Sequence, residues 1–175
     1  NWAYGAGKVA GGDFGCMALR TDGTLWTWGL NQYGQLGHNS RTYYSSPVQV
    51  PGTNWANFYS SHWNTIATKT DGTLWGMGSG NNGALGQNSQ VAYSSPVQVG
   101  SDTTWSTDYN SFSISVSVIG KKSDGTLWGW GANNIGQLAQ NNTTVTNYSS
   151  PIQIPGSGWQ EVSEGDSGVI AIRNA

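Results

Sequence analysis

Charge is what this chain has least of. Seven of its 175 residues are Lys or Arg and nine are Asp or Glu, for a formal net charge of -2. Nucleic-acid binders neutralise phosphates with clustered basic side chains, and no such cluster is present, so no nucleic-acid partner is expected. Lys121 and Lys122 form the one adjacent basic pair, which reads as a solvated hairpin end. A single cysteine, Cys16, excludes an intrachain disulfide. No apolar run approaches the roughly 18 residues of a membrane-spanning helix, and no membrane partner is expected. No segment of ten or more residues carries a helical period. Low charge can signal disorder, but ten tryptophans argue against it.

What the chain has is repetition. DGTLWTWGLNQYGQLG at 22–37 returns as DGTLWGMGSGNNGALG at 71–86 and as DGTLWGWGANNIGQLA at 124–139. Each copy is followed by YSSPVQV or YSSPIQI, at Tyr44, Tyr93 and Tyr148. A self-similar period of about fifty residues indicates a propeller, solenoid or array. Phased on Trp55, Trp105 and Trp159, the modules run 2–52, 55–100 and 105–156, with a partial fourth at 159–175. Cys16 falls where the other copies have Thr65 and Val169, so it reads as a small buried residue.

Each module predicts four strands. The first follows the module tryptophan, as in Lys8–Ala10, Asn57–Tyr59 and Glu161–Ser163. The second starts near Cys16, Thr65 and Ser113 with period-two alternation. Asp22-Gly23, Asp71-Gly72 and Asp124-Gly125 then supply a hairpin turn, expected to be the two-residue type I′. The third strand puts Leu25, Leu74 and Leu127 on one face and Trp26, Trp75 and Trp128 on the other. Gly-rich turns end in Leu36, Leu85 and Leu138, which read as core plugs. The fourth strand opens at Pro47, Pro96 or Pro151, where a missing amide hydrogen breaks no ladder bond. Four short strands per module describe a β-propeller blade, so the fold class is all-β. A solenoid is the alternative architecture.

Length varies between copies. From the module tryptophan to Asp-Gly the chain advances 20, 16 and 19 positions, and from Asp-Gly to the SSP proline 25, 25 and 27. The extra residues are expected in the first hairpin and in the polar loop.

Module one carries a resemblance: Ala18, Asp22-Gly23, Leu25-Trp26, Trp28-Gly29, Asn31, Gly34-Gln35-Leu36-Gly37, Pro47 and Val50. The pattern resembles the repeat of the regulator of chromosome condensation family. The resemblance implies a propeller of typically seven blades, so further repeats of the same chain, or homo-oligomeric neighbours, are expected to complete it. It also brings the family's functions into view: exchange on a small GTPase, or a protein-interaction scaffold.

Candidate sites divide by whether they repeat. Residues found in every copy read as blade construction: the Asp-Gly pairs, the leucines and prolines named above, Trp55, Trp105 and Trp159, and Trp26, Trp75 and Trp128 packing between blades. Tyr44, Tyr93 and Tyr148 read the same way. Positions that differ read as binding candidates: Gln32-Tyr33, Asn81-Asn82 and Asn134-Ile135 in the Gly-rich turn, and Arg41, Tyr43 and Gln90 in the polar loop. Trp63 stands alone in the first hairpin of module two. Tyr among Ser, Gly and Asn is the composition of adaptable binding loops.

His38 and His62 have no repeated partner and read as surface polar residues. Glu161 and Glu164, the only glutamates, form no acid pair with Ser or His. No phosphate loop and no metal-ligand spacing occurs, so neither an enzyme nor a cofactor is expected. The N-x-[ST] triplets at Asn141, Asn142 and Asn147 lie in an Asn/Thr-rich stretch where chance produces them. The expectation is a non-catalytic propeller module presenting variable loops to a protein or glycan, with composition pointing to an extracellular or virion fibre or decoration protein, as in a phage. The alternative is an intracellular regulator of the chromosome condensation type.

Overall fold

The computed structural model describes residues 1–3, 8–11, 15–142, 144–164 and 169–173. These form strands and turns, with single 3-10 turns at Asn81–Gly83 and Tyr109–Ser111 and no α-helix among the described residues. The first sheet contains β1 (Val9–Gly11), β2 (Gly15–Leu19), β3 (Leu25–Gly29) and β4 (Tyr44–Gln49). The second contains β5 (Trp55–Ser60), β6 (Asn64–Lys69), β7 (Leu74–Gly78) and β8 (Tyr93–Gln98). The third contains β9 (Phe112–Ile114), β10 (Ser117–Lys121), β11 (Leu127–Ala132) and β12 (Asn147–Ile154). A two-stranded sheet, β13 (Trp159–Glu164) and β14 (Val169–Arg173), follows. Strands pair antiparallel in chain order within every sheet.

Each sheet is a blade. First strands of neighbouring blades lie against one another, β5 on β9 and β13 on β9, which places them innermost. The core sits between blades: Met17, Leu19, Leu25 and Val50 of blade one meet Phe58, Ala67 and Met77 of blade two. Ile66, Leu74 and Val99 of blade two meet Val118 and Trp130 of blade three. Ile119, Leu127 and Ile154 of blade three meet Val162 of the fourth. Burying each large aliphatic side chain stabilises by about 1.5–3 kcal/mol. Leu36, Leu85 and Leu138 are fully buried.

Two ends of the blades are distinguishable. At one, the Asp-Gly turns meet the linkers between blades: the amide of each module tryptophan, Trp55, Trp105 and Trp159, donates to the carbonyl of Gly23, Gly72 and Gly125 respectively, at 3.0–3.2 Å. At the other, the Gly-rich turns meet the next blade. A Cβ on Gly34 would stand 2.5 Å from Ser94 Cα, and one on Gly83 2.4 Å from Ser149 Cα, so both positions need glycine. The amides of Asn39 and Asn88 donate to the carbonyls of the same two serines at 2.7 Å. The YSSP phrase is therefore the landing place of the preceding blade.

Four expectations are corrected. The Asp-Gly turn is not type I′. Gly23 N donates to Arg20 O and Arg20 N to Thr24 O, and only the glycine of the pair has positive φ, +76° at Gly23. This is a type I turn closed by a left-handed glycine, the three-residue hairpin. Its Asp caps the turn: Asp22 Oδ1 accepts from Thr24 N at 3.1 Å and Thr24 Oγ1 at 2.6 Å.

Pro47, Pro96 and Pro151 stand inside the fourth strand rather than at its start. They lie where the register slips, between Thr27 and Gly29 in blade one, so a bulge in an outer strand absorbs the missing donor.

The extra residues of module three are not in its first hairpin. Phe58 and Phe112 hold the same register, against Ala67 and Gly120, and the added chain lies before Phe112 on the innermost strand. Asn57 Nδ2 there donates to Thr107 O and the Tyr59 hydroxyl to Asp108 O. Lastly, Lys122 is not solvated: it is 9% exposed, for the reason given below.

Candidate functional site

The variable positions meet at the loop end, across blade boundaries. Gly-turn residue Tyr33 of blade one packs edge-on against Trp63 from the first hairpin of blade two, ring centres 5.2 Å apart. The exposed His62 ring lies 6.0 Å from Trp63. At the next boundary the equivalent residues are Asn82 and Val116. The equivalence is shown by the backbone: Ser79 N donates to Trp63 O, and Ala132 N to Val116 O. Here no ring fills the space. Asn82, Val116, Ala132, Asn134, Ile135, Gln137 and Thr146 line a cleft of about 450 Å³. Val116 is 47% exposed and Ile135 58%.

The turns that present these residues are locked from behind. Asn31 Nδ2 donates to Ser40 O and Thr42 O, while its Oδ1 accepts from Leu36 N at 2.9 Å. Asn133 repeats the arrangement with Asn142 O, Val145 O and Leu138 N. Trp130 is fully buried below the second boundary and donates its indole N–H to Ala84 O across it, at 2.9 Å. The turns of Tyr33 and Ile135 are thus held by an asparagine, while the turn of Asn82 has Gly80 at that place and is tied through Ala84 O to Trp130. Arg41, Tyr43 and Gln90 are exposed further along the polar loops, and Gln32, Asn81 and Asn134 are exposed beside the turn residues. Of the charged side chains described, Arg41 alone belongs to these loops.

The turn end is charged and repeats itself. Thr24, Thr73 and Thr126 donate to the turn aspartates and accept the indole N–H of Trp26, Trp75 and Trp128 at 2.8–3.0 Å. These threonine bonds are the main reason the Asp22, Asp71 and Asp124 carboxyls are held below their usual pKa. Each of the three indoles is half-buried and lies edge-on to its own module tryptophan: Trp2–Trp26 at 6.3 Å, Trp55–Trp75 at 6.1 Å and Trp105–Trp128 at 6.4 Å. A cation sits over both rings: Arg20, Lys69 or Lys122. Lys122 Nζ is 3.9 Å from the Trp128 ring centre and is bonded to Asp102. That bond heads the causes that hold the Asp102 carboxyl at about 2. Between blades, Met77 and Trp130, two positions beyond Trp75 and Trp128, are fully buried, and Trp75 and Trp128 pack half-buried against the same clusters.

The family model described as regulator of chromosome condensation (RCC1) repeat matches residues 22–66, 71–109 and 124–172, and a second model of the same description matches residues 8–35. The chain belongs to the regulator of chromosome condensation repeat family.

Solved structures of similar fold include human WBSCR16, at TM-score 0.78 and 19% identity over 94% of this chain and 44% of that one. Prp20p from Saccharomyces cerevisiae, a structure reported with its binding to Gsp1p and histones, matches at TM-score 0.77 and 16% identity over 95% and 44%. The same yeast protein bound to Kap60 matches at 0.78 and 16%, over 95% and 42%. The chain thus spans less than half the length of these propellers and is a partial β-propeller. No curated protein matches it.

Within this regulator of chromosome condensation segment, several roles were not read from sequence. The threonine of DGTLW and the cation two residues before Asp-Gly (Arg20, Lys69, Lys122) both recur visibly, so a column-by-column comparison of the copies could have found them. His38 does have counterparts: it stands where Gln87 and Gln140 tie the turn to the fourth strand, and its Nε2 lies 2.8 Å from the Thr27 hydroxyl. Burial pushes its pKa down. Cys16 is a free thiol, half-buried. The side chains of Glu164 and Val169, and Thr143 of the first two triplets, lie outside the described residues. Among the described residues no three His, Cys, Asp or Glu side chains gather as a metal site.

Proposed function

We propose that the chain is a non-catalytic, protein-binding segment of a regulator-of-chromosome-condensation type propeller, and that it binds through its loop end. One observation carries this reading. The positions at which the copies differ (Tyr33, Asn82, Ile135, Trp63, Val116) come together at one end of the blades, while the copied residues occupy the core and the opposite end. Binding residues concentrate on loops held by a rigid scaffold, and Tyr and Trp supply large contact area at low entropy cost.

The family and the fold favour a protein partner over a glycan. The yeast neighbour is reported with binding to Gsp1p and histones, and in complex with Kap60. Neither comparison supports a virion, phage or extracellular role, and the regulator alternative fits them better. A small-GTPase exchange factor is the narrower form of that alternative.

Photo-crosslinking residues placed singly at 33, 63 and 135, and as controls at 22, 71 and 124, test the proposal. Protein adducts from the first set and none from the second are expected. Adducts confined to the turn positions would overturn it. Acceleration of guanine-nucleotide release from a small GTPase would establish the narrower form.

A further inference from the structure

The two described blade boundaries are built alike but filled differently. At the first, the chain supplies its own ring: Tyr33 lies against Trp63. At the second, the same backbone positions carry Asn82 and Val116, and about 450 Å³ stays open between them and Ile135. The floor beneath that space is fixed, because Trp130 is bonded across the boundary and Ala132 N is tied to Val116 O. The opening is therefore a preformed feature and not a loosely packed one.

We infer that the cleft between Asn82, Val116 and Ile135 takes one large apolar side chain, aromatic for preference, from a neutral extended segment of a partner protein. The partner's ring would occupy the place that Tyr33 fills at the first boundary. This rests on the loop end being the binding face.

Three observations fix the class of occupant. Val116, Ala132 and Ile135 provide apolar walls, and Val116 and Ile135 are exposed. All seven lining residues are uncharged. A charged anchor would lose its hydration and find no opposite charge, which is costly. Amide and hydroxyl groups of Asn82, Asn134 and Thr146 rim the cleft and can pair with the backbone of an extended segment, whose own polar groups need partners once desolvated. The volume suits one large side chain, and with Asn82, Asn134, Gln137 and Thr146 beside the three apolar residues the occupant meets apolar walls and neutral polar groups together.

Random twelve-residue peptides displayed on phage and selected against the whole chain provide the probe. Enriched sequences should carry one Tyr, Trp, Phe or Leu among neutral residues. Their affinity should change less than about twofold between 50 and 500 mM salt, because no exposed ion pair is involved. V116W, which places an indole in the cleft as Trp63 does at the first boundary, should weaken them at least tenfold while leaving the thermal midpoint unchanged. Y33A should leave them unaffected.

Peptides that are charged and salt-sensitive, or that bind V116W undiminished, would overturn the inference. So would selection yielding no binders, or sedimentation showing that V116W abolishes self-association of the chain. Peptides lost in Y33A and W63A but kept in V116W would overturn the cleft assignment alone and leave the loop end as the binding face. Peptides lost only in variants of Lys69 or Asp71 would overturn both.

Discussion

The two ends of the blades are made from the same modules and behave as opposites. At the turn end every copy repeats one device: aspartate capped by threonine, threonine accepting an indole N–H, and a cation resting on two tryptophans. At the loop end the scaffold repeats but the presented residue does not, running Tyr33, Asn82, Ile135 through the copies. Charge follows the same division, with Arg20, Asp22, Lys69, Asp71, Asp102, Lys122 and Asp124 at the turn end and Arg41 alone in the described polar loops. The difference teaches that repetition here is a construction rule and that departures from it mark recognition.

The sharpest separation is between two tryptophans near the same end. Trp130 is wholly buried and bonded across a boundary, whereas Trp63 is 42% exposed on top of one. Trp130→Ala removes a large aromatic from a close-packed site and orphans Ala84 O, so we expect a loss of about 4 kcal/mol. Trp63→Ala should lose less than about 1.5 kcal/mol. Urea titration of both variants measures this. Equal costs would break the distinction between floor and surface.

Blade construction was legible because it repeats. The third-strand leucines, Leu25, Leu74 and Leu127, follow from a period of two and are buried to 0, 0 and 1% exposure. What comparison of copies could not show was anything decided by a neighbour. The turn type depends on where Arg20 N finds an acceptor, and Lys122 is buried because linker residue Asp102, absent from the other linkers, reaches it. Tyr33 meets Trp63 only because Gly34 lets its turn sit on the next blade, a relation between residues thirty apart that no single module displays. The candidates Tyr33, Trp63, Asn82 and Ile135 could thus be picked individually, but their pairing across boundaries could not.

At the turn end, electrostatics should leave a carboxylate pH signature at acid pH, separate from that of His38, the half-buried histidine beside the Gly-rich turn. Asp102 is held at about 2, chiefly by its bond from Lys122 and then by Thr104. A carboxyl depressed on folding contributes stability that is fully present above its unfolded pKa of about 4 and is lost as pH falls through its folded value. Its side chain is 35% exposed, so solvent screening reduces the contribution to roughly 1 kcal/mol. Wild-type stability should therefore drop between about pH 4 and pH 2 by that much more than in Asp102→Asn. Identical acid limbs would show that the Lys122 contact is only geometric.

The smallest effect expected lies at the loop end itself. Tyr33 and Trp63 meet edge-on at 5.2 Å, an arrangement that couples aromatic side chains by about 0.5–1.5 kcal/mol. Both are partly exposed, so a coupling near 0.5 kcal/mol is expected from the cycle Tyr33→Ala, Trp63→Ala and the double variant. The stability change from either single variant should be minor beside its effect on a loop-end partner. A coupling above about 2 kcal/mol would mean that the pair holds blades one and two together. The first boundary would then belong with the turn end as construction, and recognition would be left to Asn82, Val116 and Ile135 alone.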